Sequence, residues 1–123
     1  DEETMFKTIT TYYDIWMAPP LSTDRVKYYR DVLMPMILYD RLKLSLEIRG
    51  KSDLGSITKL EMVKILYRDI LLEKKVLGHR KHKNIYDREM EVLDLRKRRR
   101  HKVAKKVTQE VVDLWEPLRH TQA

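Results

Sequence analysis

The chain has 123 residues, of which 42% are hydrophobic and 37% charged, with a formal net charge of +7 and no cysteine. The missing cysteine excludes disulfide scaffolds, thiolate zinc sites and cysteine nucleophiles. With only three glycines and four prolines, the composition favours helix over sheet, and enough apolar side chains remain to form a core. A small all-α protein is therefore expected.

The first predicted helix covers residues 4–17. Apolar side chains recur there at spacings of three and four and form one aromatic stripe, made of Phe6, Ile9, Tyr13 and Trp16. Such spacing is typical of one helix face. The pair Pro19-Pro20 is expected to end this helix.

The second predicted helix runs from an N-cap at Ser22 or Thr23 to about Arg49, with Gly50 as its stop. Pro35 should kink it, because proline lacks the backbone N–H and crowds the preceding turn. The segment 34–38 is apolar on all sides, so we expect it to be buried under its own neighbours or under another subunit.

A long antiparallel two-helix hairpin is predicted next, from Thr58–Gly78 and Ile85–Trp115. Thr58 followed by Glu61 resembles a capping box, and Gly78 can close the first helix. The intervening residues 79–84 read as a polar, basic turn. The predicted organisation is an N-terminal helical arm at 1–57 that docks on neighbouring proteins, the hairpin at 58–116 and a tail at 117–123.

The excess positive charge lies in the second half of this hairpin. Residues 79–106 carry twelve basic and four acidic side chains, a net of +8, and Arg96–Lys106 contains eight formal positive charges and no acid. Such density needs an outside source of negative charge, of which nucleic-acid phosphate is the commonest. The candidate RNA-binding residues are Arg80, Lys81, Lys83, Arg96, Lys97, Arg98, Arg99, Arg100, Lys102, Lys105 and Lys106.

Other functions have weaker support in the residues. Binding to a membrane surface needs a broad apolar face, and 96–106 offers only Val103 and Ala104; no apolar run approaches the length of a transmembrane helix. His79 and His82 could share a metal, but the surrounding cations oppose it. No catalytic motif occurs, so we expect no enzyme activity, no cofactor and no small-molecule substrate.

Residues Thr58–Leu77 resemble the first helix of ribosomal large-subunit protein family twenty-nine, especially its mitochondrial forms. A Leu-Trp-Tyr-x-Leu-Leu-Lys-Glu-Arg-Asn-x-Leu core is typical of those forms, and residues 66–77 align with it without a gap. The identical positions are Leu66, Leu71, Glu73 and Leu77. The basic pattern of the family's second helix resembles residues 99–106.

The resemblance implies a structural protein of a mitochondrial ribosome that binds rRNA and neighbouring ribosomal proteins in the mitochondrial matrix. Leu66-Tyr67-Arg68 also matches the Leu-Tyr-Arg motif of small helical subunits and assembly factors of respiratory complexes, which is the alternative. A third possibility is a scaffold that binds only protein. The chain opens on Asp1 without an initiator Met, so either a targeting segment was removed or the chain begins inside a longer protein.

Overall fold

A computed structural model describes residues 1–15 and 24–120, and within these ranges it contains helices and no strand. The predicted all-α class is therefore confirmed. Trp16, Pro19-Pro20 and the N-cap candidates Ser22 and Thr23 lie outside the described residues. The helices are α1 (Glu2–Tyr12), α2 (Arg25–Tyr28), α3 (Met34–Met36), α4 (Tyr39–Ile48), α5 (Lys59–Leu77), α6 (His79–Lys97) and α7 (His101–Trp115), with short 3-10 turns at Leu54–Ser56 and Glu116–Leu118.

The predicted second helix is broken rather than merely kinked. A π-helical turn, Tyr29–Leu33, joins α2 to α3, and Ile37 and Leu38 are extended, with ψ of 121° and 124°. Pro35 sits in the first turn of α3, where its missing N–H costs least. The chain therefore turns around this proline and begins α4 in a new direction.

The apolar segment around Pro35 is only partly buried within the chain. Ile37 is 2% exposed, whereas Met36 is 43% and Leu38 69% exposed. The chain's own neighbours therefore do not bury Met36 and Leu38, and burial of these two side chains under another subunit stays a prediction. The extended residues after α3 end the helical periodicity, so neighbouring side chains no longer share one face.

Two hydrophobic clusters form the core, and α4 contributes to both. Leu42 and Leu46 join side chains of α1, the π turn and α5, whereas Leu44 and Ile48 join α6, α7 and the final 3-10 turn. The two pairs alternate along α4, so that this helix is covered on most of its surface. Residues of the predicted N-terminal arm and of the predicted hairpin therefore share one core.

The prediction that Ile85–Trp115 forms one continuous helix is wrong. The chain forms α6 and α7 instead, separated by Arg98–Arg100. These two helices pack against each other as an antiparallel pair. The predicted turn at residues 79–84 is also wrong, because Gly78 alone, at φ +89° and ψ 166°, redirects the chain between α5 and α6.

Among the described residues, no helix combines the length and the apolar character needed to cross a bilayer.

Candidate nucleic-acid interface

The basic run Arg96–Lys106 spans the tight turn between α6 and α7, and we call it the basic turn. Arg98 ends α6, and Arg99 follows with a left-handed φ of +59°. The Arg99 N–H donates to the Arg96 carbonyl at 3.0 Å, and the Arg100 N–H donates to the Leu95 carbonyl at 2.9 Å. This pair of bonds is the Schellman motif that commonly ends helices. The charged residues therefore lie at the tip of a helical pair rather than in the middle of one helix.

Arg99 occupies the position of this motif that usually holds glycine. The same motif ends α4, where Gly50 takes the left-handed position at φ +83°. It also ends α1, where the residue is Asp14, a type that tolerates this conformation. Arginine has no such tolerance and pays about 1–2 kcal/mol in steric strain. Strain of this kind is common at functional sites.

The cations of the turn are exposed and almost unpaired. Arg98 lies 3.2 Å from Asp94, and both side chains are more than half exposed. Among the described residues, this is the one carboxylate within 4 Å of any cation in the run. The exposed cations are Arg96, Lys97, Arg98, Arg99, Arg100, Lys102, Lys105 and Lys106. All eight are thus available to an external anion.

The cations around the turn lie beside the positive end of the α7 helix dipole. The helix begins at His101 after Arg100, with no side-chain cap and no acid in its first turn. In contrast, Asp1, Asp24 and Thr58 each cap a helix by accepting a backbone N–H. Positive charge beside the positive end of a helix is unfavourable, by about 0.3–1 kcal/mol for each charge. A bound anion would reverse the sign of these interactions.

The other candidate cations form a separate patch. Arg80, Lys81 and Lys83 lie exposed in the first turns of α6, not in a loop. From Arg80 to Arg98 the helix rises about 27 Å, at about 1.5 Å per residue. The structure therefore separates the predicted binding residues into two basic patches at opposite ends of α6.

A buried network of charged side chains holds the helices together beneath these patches. The fully buried Arg49, at the end of α4, donates to Glu89 of α6 at 3.0 Å and lies 2.9 Å from Glu73 of α5. It also donates to the Tyr12 hydroxyl at 3.0 Å. Arg49 therefore connects α4 with α1, α5 and α6 through hydrogen bonds that are buried away from water.

Glu73 is the acceptor at the centre of the same network. Its Oε1 accepts from the Trp115 indole N–H at 2.7 Å, and its Oε2 lies 2.6 Å from Nδ1 of His82. Arg49 and the Trp115 indole both donate to this carboxylate, so we assign the proton of the short contact to Nδ1 of His82. This bond and the Trp115 bond tie α6 and α7 to α5.

Glu89 differs from Glu73 in its protonation. Burial raises the pKa of Glu89 well above its usual value. One guanidinium serves both carboxylates, and Glu73 has the additional donors. Glu89 has no such additional donors, so burial favours the protonated form of its carboxyl.

Sequence reasoning missed this network because its members are far apart in the chain. A signal nevertheless exists on α6, where Glu89 falls on the stripe of Ile85 and Val92 at spacings of four and three. An acid on an apolar stripe indicates a buried partner. His82, weighed from sequence as a metal ligand or a basic loop residue, is instead bonded to Glu73.

The chain matches no protein-family model, no curated protein and no solved structure.

Proposed function

We propose that this chain is a structural RNA-binding protein of a ribosomal large subunit, of the mitochondrial type. The basic turn between α6 and α7 binds rRNA phosphates, and the patch at the start of α6 makes further contacts. Binding is electrostatic and independent of base sequence, since arginine and lysine at a helix tip reach phosphates rather than base edges.

The observation that carries this proposal is the unbalanced charge of the turn. Eight exposed cations, one of them the strained Arg99, lie around the turn and the uncapped start of α7. The repulsion between the cations and the helix dipole becomes favourable when phosphate oxygens approach, whereas the backbone strain at Arg99 persists and is a cost of presenting the cations at the tip. Arginine also binds phosphate with two parallel hydrogen bonds, which lysine cannot do.

A salt titration of RNA binding tests the electrostatic mechanism. For six phosphate contacts, affinity should fall about a thousandfold between roughly 50 and 200 mM salt. Replacing Arg98, Arg99, Arg100 and Lys102 by Gln should make the slope of log affinity against log salt shallower by about 3. This variant is called the turn variant below.

The matched control removes four exposed cations elsewhere, by Gln substitution at Lys27, Lys43, Arg68 and Lys75. It has the same net charge as the turn variant, so long-range attraction is equal in the two proteins. We expect its slope to stay close to that of the unmodified protein. Equal slopes for the two variants would show that net charge, not the turn, causes binding.

The ribosomal assignment itself needs a test in cells. The chain should co-sediment with large ribosomal subunits and be released from them by ribonuclease. Co-purification with a membrane complex that survives ribonuclease would instead favour the respiratory-subunit alternative. In that case Tyr67 and Arg68 would be the available residues of the motif, since Leu66 is fully buried.

A further inference from the structure

A cleft of about 530 Å³ lies between α1, α5 and α6, away from the basic turn. This volume is within the range of small-molecule sites. Its walls include the aromatic side chains Tyr12 and Tyr86, the buried Ile70, and the imidazole of His82. Lys74 and Lys83 lie on its lining as well. The cleft thus combines an apolar interior with positive charge.

The aromatic side chains of the cleft form a corner. The Tyr12 and Tyr86 rings meet edge to face, with centroids 5.2 Å apart and planes at 79°. The His82 ring lies 5.8 Å from Tyr12. Tyr12 is buried, and the Arg41 guanidinium lies over the Tyr12 and Tyr86 rings at 5.5 and 5.1 Å, so the partly exposed Tyr86 is the ring that a flat aromatic ligand can contact. An aliphatic chain gains no comparable benefit from this arrangement.

His82 supplies a hydrogen-bond acceptor to the cleft. Its side chain is 10% exposed, and Nδ1 is occupied by Glu73 at 2.6 Å. With the proton on Nδ1, the neutral ring presents Nε2 as an acceptor. The ligand therefore needs an N–H or amino donor on its aromatic part.

The lysines of the cleft determine the second property of the ligand, which is its negative charge. Neither Lys74 nor Lys83 has a carboxylate within 4 Å among the residues that the structure describes. Asp14 is the one acid of the lining in the described region. Two lysines against one acid favour a ligand that carries a phosphate.

We propose that this cleft binds a nucleoside phosphate, with its base in the aromatic corner against His82 and its phosphate at Lys74 and Lys83. The nucleotide is either free or an unpaired residue of an RNA strand; both have the same base and phosphate. The proposal does not rest on RNA binding by the basic turn, because the cleft and the turn have no residue in common; Lys83 belongs both to the cleft and to the basic patch at the start of α6.

Calorimetric titration with three probes tests the chemistry: AMP, ribose 5-phosphate without the base, and adenosine without the phosphate. AMP should bind at least about tenfold more tightly than either fragment, a difference of about 1.4 kcal/mol. Equal affinity for AMP and ribose 5-phosphate would overturn the proposal, as would no AMP binding at millimolar concentration.

Paired variants locate the site. Replacing Lys74 and Lys83 by Gln should weaken AMP binding at least about tenfold. Replacing Arg68 and Lys75, which are exposed cations of α5 outside the lining, should change it less than about twofold. The same loss in both double variants would contradict the proposal. Circular dichroism of both variants verifies that α5 and α6 are intact.

The turn variant separates this inference from the proposed function. It should bind AMP as the unmodified protein does, whereas loss of AMP binding would place the nucleotide at the turn and overturn the cleft proposal. A short single-stranded oligonucleotide distinguishes the two sources. If it binds the turn variant more tightly than AMP does, and Lys74 and Lys83 are required, the nucleotide belongs to RNA; if AMP binds as tightly, it is free.

Discussion

Replacing Arg99 by Gly should make the protein more stable although it removes a surface charge. Arg99 has a φ of +59°, and glycine adopts this conformation without the strain of about 1–2 kcal/mol that other residues incur. Glycine loses about 0.5–1 kcal/mol through the greater entropy of its unfolded chain. The expected net gain is about 0.5–1 kcal/mol in the free energy of unfolding.

Thermal unfolding followed by circular dichroism measures this gain. An unfolding entropy of about 2.1 cal/mol/K per residue, taken over 123 residues, converts it to a rise of about 2–4 °C in Tm. The control is Arg99→Ala, which removes the same charge and keeps the unfavourable backbone conformation. Relief of repulsion near α7 raises Tm equally in both variants. The difference between their Tm values therefore reports the cost of the left-handed backbone conformation at position 99.

The reasoning is refuted if Arg99→Gly is no more stable than Arg99→Ala. RNA binding provides the second measurement, because the two variants lose the same guanidinium and should lose affinity equally. Gly50 offers the reverse comparison at the same motif position, with φ +83° and a Cβ that would lie 2.6 Å from Arg119. Substitution by alanine there should therefore destabilise.

Two further predictions concern the buried network. Glu73→Gln leaves Arg49 without its ionised partner and should cost about 3–5 kcal/mol in the free energy of unfolding, whereas the exposed Glu47→Gln should stay within about 0.5 kcal/mol by urea denaturation; similar losses would argue against the network. Glu89 keeps its proton in the native state while the unfolded state releases one above about pH 4.3. The unfolding free energy should therefore fall as pH rises from there towards the raised pKa of Glu89, by up to about 1.4 kcal/mol per pH unit. Glu89→Gln should flatten that fall, and an unchanged pH slope would contradict a protonated Glu89.

Features with local causes could be predicted from the sequence. Thr58 caps α5 by accepting the Glu61 N–H at 3.1 Å, as its sequence context indicates. Gly78 ends that helix as predicted, and Pro35, where a kink is predicted, marks a full break of the helix. Each depends on residues within one or two turns of each other, and so the sequence pattern contains the information.

The break between α6 and α7 could not be predicted in the same way. Arg98–Arg100 contains neither Gly nor Pro, and arginine is a good helix former. The break arises from the packing of α7 against α6, which buries Ala104, Val107 and Val111. Tertiary packing here overrides local propensity. Because the turn moves the basic run to a tip, its cations lie around the turn rather than along one continuous helix.

The turn and the network together explain why an anion partner is expected. Left-handed strain at Arg99 and dipole repulsion at the start of α7 sum to about 2–4 kcal/mol, a large share of a typical stability of about 5–15 kcal/mol. The bonds of Arg49 and Glu73 hold α6 against α4 and α5, so the helical pair tolerates this cost. Salt screens the repulsion and should stabilise the free chain, yet it also weakens phosphate contacts. Opposite salt responses of the free chain and of the proposed RNA complex are therefore expected from the same eight cations.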